Sequence, residues 1–336
     1  MLLERLTTAC GLPGFEDEVR NIIKEELADF VDSIKIDRMG NLIAVKNAAA
    51  TGKHIALNAH MDEVGLCVRY IESDGRIRFA SWGVDRRLLP SMRVLVGEKK
   101  TLGVIGAKPI HLQTESERNS TVAIDSLYID IGCDKKEEVE KLVNLGDFAA
   151  FNSKFTEFGE NRIKAKALDD RVGCATIIEV LKSDIPHKVT GIFCVQEEIG
   201  IRGSAVAANG LSADILINLE GTIGADLDGI KPHEHVTTQG GGPAISIADR
   251  SSLYFRKHID EIIAVAEKNS IPWQYRRSGM GGTDAHNYHL AKTGTPCIGL
   301  AVPCRYIHSP VSTMHKSDFE NLVKLVKAYV AEFGGK

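Results

Sequence analysis

Hydrophobic positions change their rhythm twice along the chain. In LLERLTTACGLPGFEDEVRNIIKEELADF, Val19, Ile22, Ile23, Leu27 and Phe30 recur at helical spacing, and the Gly-Leu-Pro-Gly turn splits the stretch into two predicted helices. SIKIDRMGNLIAVKN predicts a hairpin turning near Gly40, and HIALNAHMDEVG an apolar strand that stops at His60. From about residue 67 short alternating runs take over. They predict a hairpin around Asp74-Gly75 and a second strand pair broken at Gly97, with KKEEVEKLV as the one expected helix before about residue 160.

Helix and strand alternate again after NRIKAKALDDRVG. VTGIFCV, ILINLE and PCIGLAV read as apolar strands, with RVGCATIIEVLKS, SSLYFRKHIDEIIAVAEKN and the last segment as helices. In that last helix Ser317 and Glu320 predict a capping box, and Leu322, Leu325, Val326, Tyr329, Val330 and Phe333 a buried stripe. The same α/β texture on both sides of the β-rich stretch predicts one mixed-sheet α/β/α domain, residues 1–66 and 161–336. A small β-barrel-like insertion at 67–160 interrupts it.

Composition narrows the function classes. With 336 residues and 43% hydrophobic content the chain can bury a sizeable core. Its 41 Lys and Arg are interspersed with 45 Asp and Glu, which argues against a nucleic-acid groove and against a membrane-binding patch. No basic-then-apolar leader opens the chain and no apolar run approaches the roughly 20 residues of a membrane span, so a soluble cytoplasmic protein is expected. The seven cysteines are scattered without Cys-x-x-Cys spacing and read as reduced and structural.

In an open α/β sheet, ligands collect beyond the carboxyl ends of the strands. HIALNA leads to His60 and Asp62, VTGIFCVQ to Glu197 and Glu198, ILINL to Glu220, and PCIGLAVPCRYI to His308, while Asp169 and Asp170 sit in a loop before a helix. Two imidazoles with four or five carboxylates and no thiolate form a donor set suited to zinc, cobalt or manganese. So many acids suggest two divalent ions sharing a bridging carboxylate. The adjacent Glu197 and Glu198 then have separate work: one binds a cation while the other takes a proton from water.

Taken singly, each piece has a blander reading. A strand-end His is usually a surface or hydrogen-bonded residue, and LDDRVG is an acidic helix cap. His233 and His235 lie outside the converging set and read as loop surface; His286 and His289 read as pocket or surface residues. The joint placement of five segments outweighs these.

AHMDEVG, KALDDRVG, QEEIGIRGS, GGTDAH and IHSPVSTMH resemble the signature segments of the tetrahedral aminopeptidases, the glutamyl-aminopeptidase-like dinuclear metallopeptidases. GVIGAKPIHLQ and LYIDIG resemble that family's inserted β domain. The likeness spans nearly the whole chain in the expected order. It implies that Asp169 bridges two ions, with the Asp169–Asp170 bond a candidate cis peptide. His60 and Glu220 would complete one site, and Glu198 and His308 the other. Glu197 would be general base and later general acid, and Asp62 would accept the other ring N–H of His60. Many relatives carry Asp where this chain has Glu220, one methylene longer. Gly281, Gly282 and Asp284 would lie close to substrate, the glycines permitting approach of a peptide backbone.

The activity so implied is a metal-dependent aminopeptidase that removes N-terminal residues from short peptides, using water activated by two divalent ions, zinc or cobalt, with manganese a third candidate. One rival keeps the metals and is a deacylase of N-acyl amino acids or amino sugars. Another is a non-catalytic assembly protein. The resemblance also implies a homo-oligomer, a tetrahedral dodecamer of dimers whose subunits meet partly through the module at 67–160.

Overall fold

The computed structural model describes residues 1–277 and 281–333. The chain divides into two compact units, one of Met1–Glu63, Phe155–Ile307 and Ser312–Lys336, the other of Val64–Lys154 and His308–Val311. The crossovers fall a few residues before those expected. Gly65–Ile71 is already a barrel strand, and Thr156–Phe158 already pairs with Arg162–Ala165 in the larger unit.

The larger unit is α/β, built on a mixed sheet of eleven strands among the described residues. Its centre is parallel: His54–His60 lies between Lys188–Cys194 and Ile215–Ile223, and Ile215–Ile223 pairs in turn with Cys297–Arg305. Antiparallel strands flank this centre, Leu42–Lys46 on one side and Ser312–His315 on the other. The central strands are apolar on both faces because helices cover both. A Cβ at Gly191 would strike Ile177 and Leu181 of the Leu168–Leu181 helix, whereas Cys194, of opposite parity, meets Tyr288 of the Ala285–Leu290 helix. Leu168–Leu181 is buried along nearly its whole length, as expected of a helix apolar all round.

The last helix, Lys316–Glu332, buries Leu322, Leu325, Val326, Tyr329 and Val330 as the spacing predicts. Its start corrects the expected capping box. His315 is the cap residue, and Ser317 lies inside the first turn, where its hydroxyl meets His315 Nδ1 at 2.7 Å. No helix among the described residues is long and apolar enough to cross a membrane.

The smaller unit is a closed barrel in the order Gly65–Ile71, Ile77–Trp82, Tyr128–Asp130, Thr101–Gly106, Arg93–Val96 and Phe148–Phe151. Alternation fills its interior: Ile77 and Phe79, and Val94 and Val96, point inward. On the first strand a bulge between Val68 and Tyr70 shifts the register, so the inward residues run Leu66, Val68, Ile71. KKEEVEKLV is helical only over Lys136–Val139, and Thr114 and Glu117 form a capping box on a second short helix, Glu115–Arg118.

Candidate metal centre

Strand register brings the first ligand candidates together. Asn58 is paired with Asn218 across the parallel strands, so the residues two further on, His60 and Glu220, share one face and one level. His60 Nε2 lies 3.5 Å from Glu220 Oε2, 3.5 Å from Asp169 Oδ1 and 3.9 Å from Glu197 Oε2. Glu220 is not the end of its strand, as the apolar run suggested; pairing with Cys297–Arg305 carries the strand on to Ile223.

Asp169 and Asp170 enter at the head of the long buried helix, joined by a cis peptide and both with non-helical backbone. Asp169 Oδ1 accepts the N–H of Gly221 at 3.1 Å, and only glycine permits that approach, since a Cβ at 221 would stand 2.8 Å from the Cβ of Asp169. Asp170 is fully buried and accepts the N–H groups of His60 at 3.2 Å and Gly173 at 3.0 Å.

Beyond Cys194 the chain turns through Gln196 in the left-handed region, φ 57°, into Glu197 and Glu198. Two buried acids hold this turn. Glu16 Oε1 accepts the N–H of Gln196 at 3.2 Å, and Asp62 accepts those of Glu197 and Glu198. His60 Nδ1 bonds the Asp62 carbonyl at 3.1 Å, with the Asp62 carboxylate 3.6 Å away.

Ligand-capable atoms of His60, Asp170 and Glu220 lie within 4.8 Å of one another, and so do those of His60, Glu197 and Glu198. Burial, reinforced by neighbouring carboxylates, raises Asp170 and Glu197 well above the usual carboxylate range and Glu220 to about 7. Burial disfavours a charged His60 ring, but the carboxylates of Asp169, Asp62 and Glu220 outweigh it and hold its pKa well above the ordinary value. One shared imidazole among several crowded, buried oxygen donors is a set that divalent cations fit: they would replace the missing positive charge with ligands of the right hardness.

His308 belongs to the smaller unit, φ 57°, with Nδ1 2.9 Å from the Gly83 carbonyl. Gly281 has φ 75° and its carbonyl accepts the N–H of Arg250 at 2.8 Å; Gly282 adjoins Ser251. Asp284 is fully buried, and its Oδ2 accepts from Asn58 Nδ2 at 3.1 Å. His233 is exposed and His235 half-buried, and His286 Nδ1 lies 2.8 Å from the Ser251 carbonyl.

Sequence reasoning missed the groups behind the site. Asn58 and Asn218 are each the polar residue two places before a site residue in an otherwise apolar strand, a period-two signal that was readable. Glu63, Lys166 and Arg171 form a fully buried ion cluster: Lys166 Nζ is 2.6 Å and Arg171 Nη2 3.4 Å from Glu63 Oε1. Lys166 and Arg171 flank Ala-Leu-Asp-Asp in sequence and tie it to the end of the first helix and the Met61 carbonyl.

The M42 glutamyl aminopeptidase family model matches residues 40–325. A putative aminopeptidase of Acetivibrio thermocellus is 39% identical over 331 residues, 97% of this chain and 96% of that protein. The lysyl aminopeptidase of Pyrococcus furiosus is 30% identical over 98% of this chain and 96% of its own length. Among solved structures, the Pyrococcus horikoshii TET1 peptidase, which can assemble into a tetrahedron or a large octahedral shell, aligns with a TM-score of 0.89 at 35% identity. That alignment covers 99% of each chain. A mixed α/β sheet carrying this acid and imidazole cluster is thus the framework of a peptidase. The chain belongs to the M42 glutamyl aminopeptidase family.

Proposed function

We propose that this chain removes N-terminal residues from short peptides using two divalent ions, zinc or cobalt with manganese a third candidate, and Glu197 as general base. The observation that carries the reading is the meeting of Asp169, Glu220 and Glu197 around one imidazole, with Asp169 Oδ1 and Glu220 Oε2 each 3.5 Å and Glu197 Oε2 3.9 Å from His60 Nε2. His60, Asp169 and Glu220 would hold one ion; Asp169, Glu198 and His308 would hold the other, with His308 and the bridging role of Asp169 assigned from the family resemblance. When bound, the ions supply Lewis-acid polarisation of the scissile carbonyl and a lower pKa for the attacking water.

The chain's own groups do the rest. Glu197 accepts the proton of the attacking water on its carboxylate and returns it to the leaving amine nitrogen. Asp62 fixes the backbone from which Glu197 and Glu198 project. Burial raises the Glu197 carboxyl and so favours proton uptake, which bound cations would oppose. Gly281 and Gly282 leave room for the backbone of a bound peptide.

All seven cysteines are free, five of them buried, which supports a reducing, cytoplasmic setting. A tetrahedral dodecamer of dimers is our reading of assembly, extended from the TET1 peptidase. Outward apolar side chains on the barrel unit support contacts there: Leu102 is 66%, Ile110 70% and Leu112 62% exposed.

The test reconstitutes metal-free protein separately with zinc, cobalt and manganese. Initial rates are then measured on unblocked aminoacyl chromogenic amides and on N-acyl amino acids. Chelator-sensitive cleavage of the unblocked amides is expected. Cleavage confined to the N-acyl compounds would make the protein a deacylase, and no chelator-sensitive hydrolysis at all would make it a non-catalytic relative.

A further inference from the structure

We propose that Asn58, Asn218 and Asp284 form a buried relay of hydrogen bonds that pins one carboxylate oxygen of Glu220 and leaves the other to bind the ion. The inference rests on the reading of Glu220 as a ligand given above.

Asn58, Asn218 and Asp284 are all 0% exposed. A primary amide inside an apolar sheet costs several kcal/mol unless its groups are bonded, on the order of 2–7 by transfer measurements. Here each bond has a direction. Asp284 Oδ2 accepts from Asn58 Nδ2 at 3.1 Å, which turns the amide nitrogen of Asn58 inward; Asn58 Oδ1 accepts from the Tyr288 hydroxyl at 2.8 Å. The same Asn58 nitrogen donates to Asn218 Oδ1 at 2.8 Å. With its oxygen so used, Asn218 must present its nitrogen to the next residue on that strand face, and it donates to Glu220 Oε1 at 2.8 Å.

A chain of bonds that begins at an acceptor, Asp284, therefore ends in a donor at Glu220. The donor occupies Oε1 and leaves Oε2 as the oxygen facing His60 Nε2, 3.5 Å away. The extra methylene of glutamate has a use here: it lets the carboxylate reach back along its own strand to the amide two residues earlier. Oε2 would then be the oxygen offered to the ion. Asn58, Asn218 and Asp284 are thus positioning residues, acting on the metal through Glu220.

Asn218→Asp keeps an oxygen for Asn58, removes the donor facing Glu220 and adds a carboxylate beside it, so it is read together with the uncharged Asn218→Ser. Metal-free protein is titrated with cobalt and followed by visible absorption, with ions counted by elemental analysis at a buffered low metal concentration. We expect affinity for one of the two ions to fall roughly 10- to 100-fold, with its absorption band altered and the other site unchanged. Asn218→Ser, whose side chain is too short to span the gap, should show the same loss and decides the matter if the first variant does not fold.

Parental affinity at both sites in the folded Asn218 variants would overturn the relay. Glu220→Gln, run alongside, separates the two levels of the argument. If it holds both ions as tightly as the parent, the ligand reading itself falls; if it loses an ion while the Asn218 variants do not, only the relay falls.

Discussion

Asp62 spends its two carboxylate oxygens on two consecutive backbone amides: Oδ1 accepts the N–H of Glu197 at 2.9 Å and Oδ2 that of Glu198 at 3.0 Å. A single side chain thereby sets the backbone direction of the proposed base and its neighbour. In Asp62→Asn only one acceptor oxygen remains, so one of the two N–H groups loses its partner. Turnover should fall about 10- to 100-fold while metal content is retained, measured by steady-state kinetics beside elemental analysis. Unchanged kcat would show that the double clamp is dispensable.

Glu197→Gln removes the proton acceptor and preserves shape. The variant should keep its ions and lose roughly 100- to 10,000-fold in kcat, since that is the usual contribution of a general base. Near-normal turnover would take Glu197 out of that role.

His308→Ala tests the ligand map where it rests on resemblance. One ion per subunit should be lost, read by elemental analysis after dialysis against buffered zinc. Two tightly held ions would contradict the assignment.

Glu16 carries a pH dependence. Burial, reinforced by the charge of Asp62, raises its pKa from 4.5 to about 7. A carboxyl that is harder to ionise folded than unfolded leaves the native state less stable as pH rises through that window, with the whole penalty present above about 7. Glu16→Gln abolishes the titration, and its carbonyl can still accept the N–H groups of Gly14 and Gln196 that Oε1 now takes. Relative to the parent, the variant should gain stability between about pH 5 and pH 8, by ~1–3 kcal/mol, in paired denaturant titrations. A difference that is flat with pH would refute it.

Glu63 Oε1 pairs with both buried cations, Lys166 and Arg171. Glu63→Gln strands two cations in the interior. Stability should drop by about 3–5 kcal/mol, seen in the denaturant midpoint.

Much of this molecule was legible in its residues because periodicity reports burial. The apolar runs ending at His60 and Cys194 are central strands, and Val94, Val96, Ile77 and Phe79 alternate as a barrel interior demands. The cluster around His60 was legible as a coincidence of acids and an imidazole near the ends of separate strands. What escaped depends on partners remote in sequence. No local pattern says that Asp62 will reach the Glu197 and Glu198 amides, or that Lys166 and Arg171 will share Glu63. The bulge after Val68 breaks alternation in a way only cross-strand pairing reveals. Ser317 and Glu320 satisfy a capping rule that the chain overrides, because Ser312–His315 continues as strand up to the residue before the helix.

Arg171 gives one last practical lesson. Its guanidinium donates to the carbonyls of Leu6, Ala9, Gly11 and Met61, so the first dozen residues are stitched to the loops around the cluster. Trimming that leading stretch, or fusing a purification handle that disturbs it, would leave a buried cation with idle donors beneath the site.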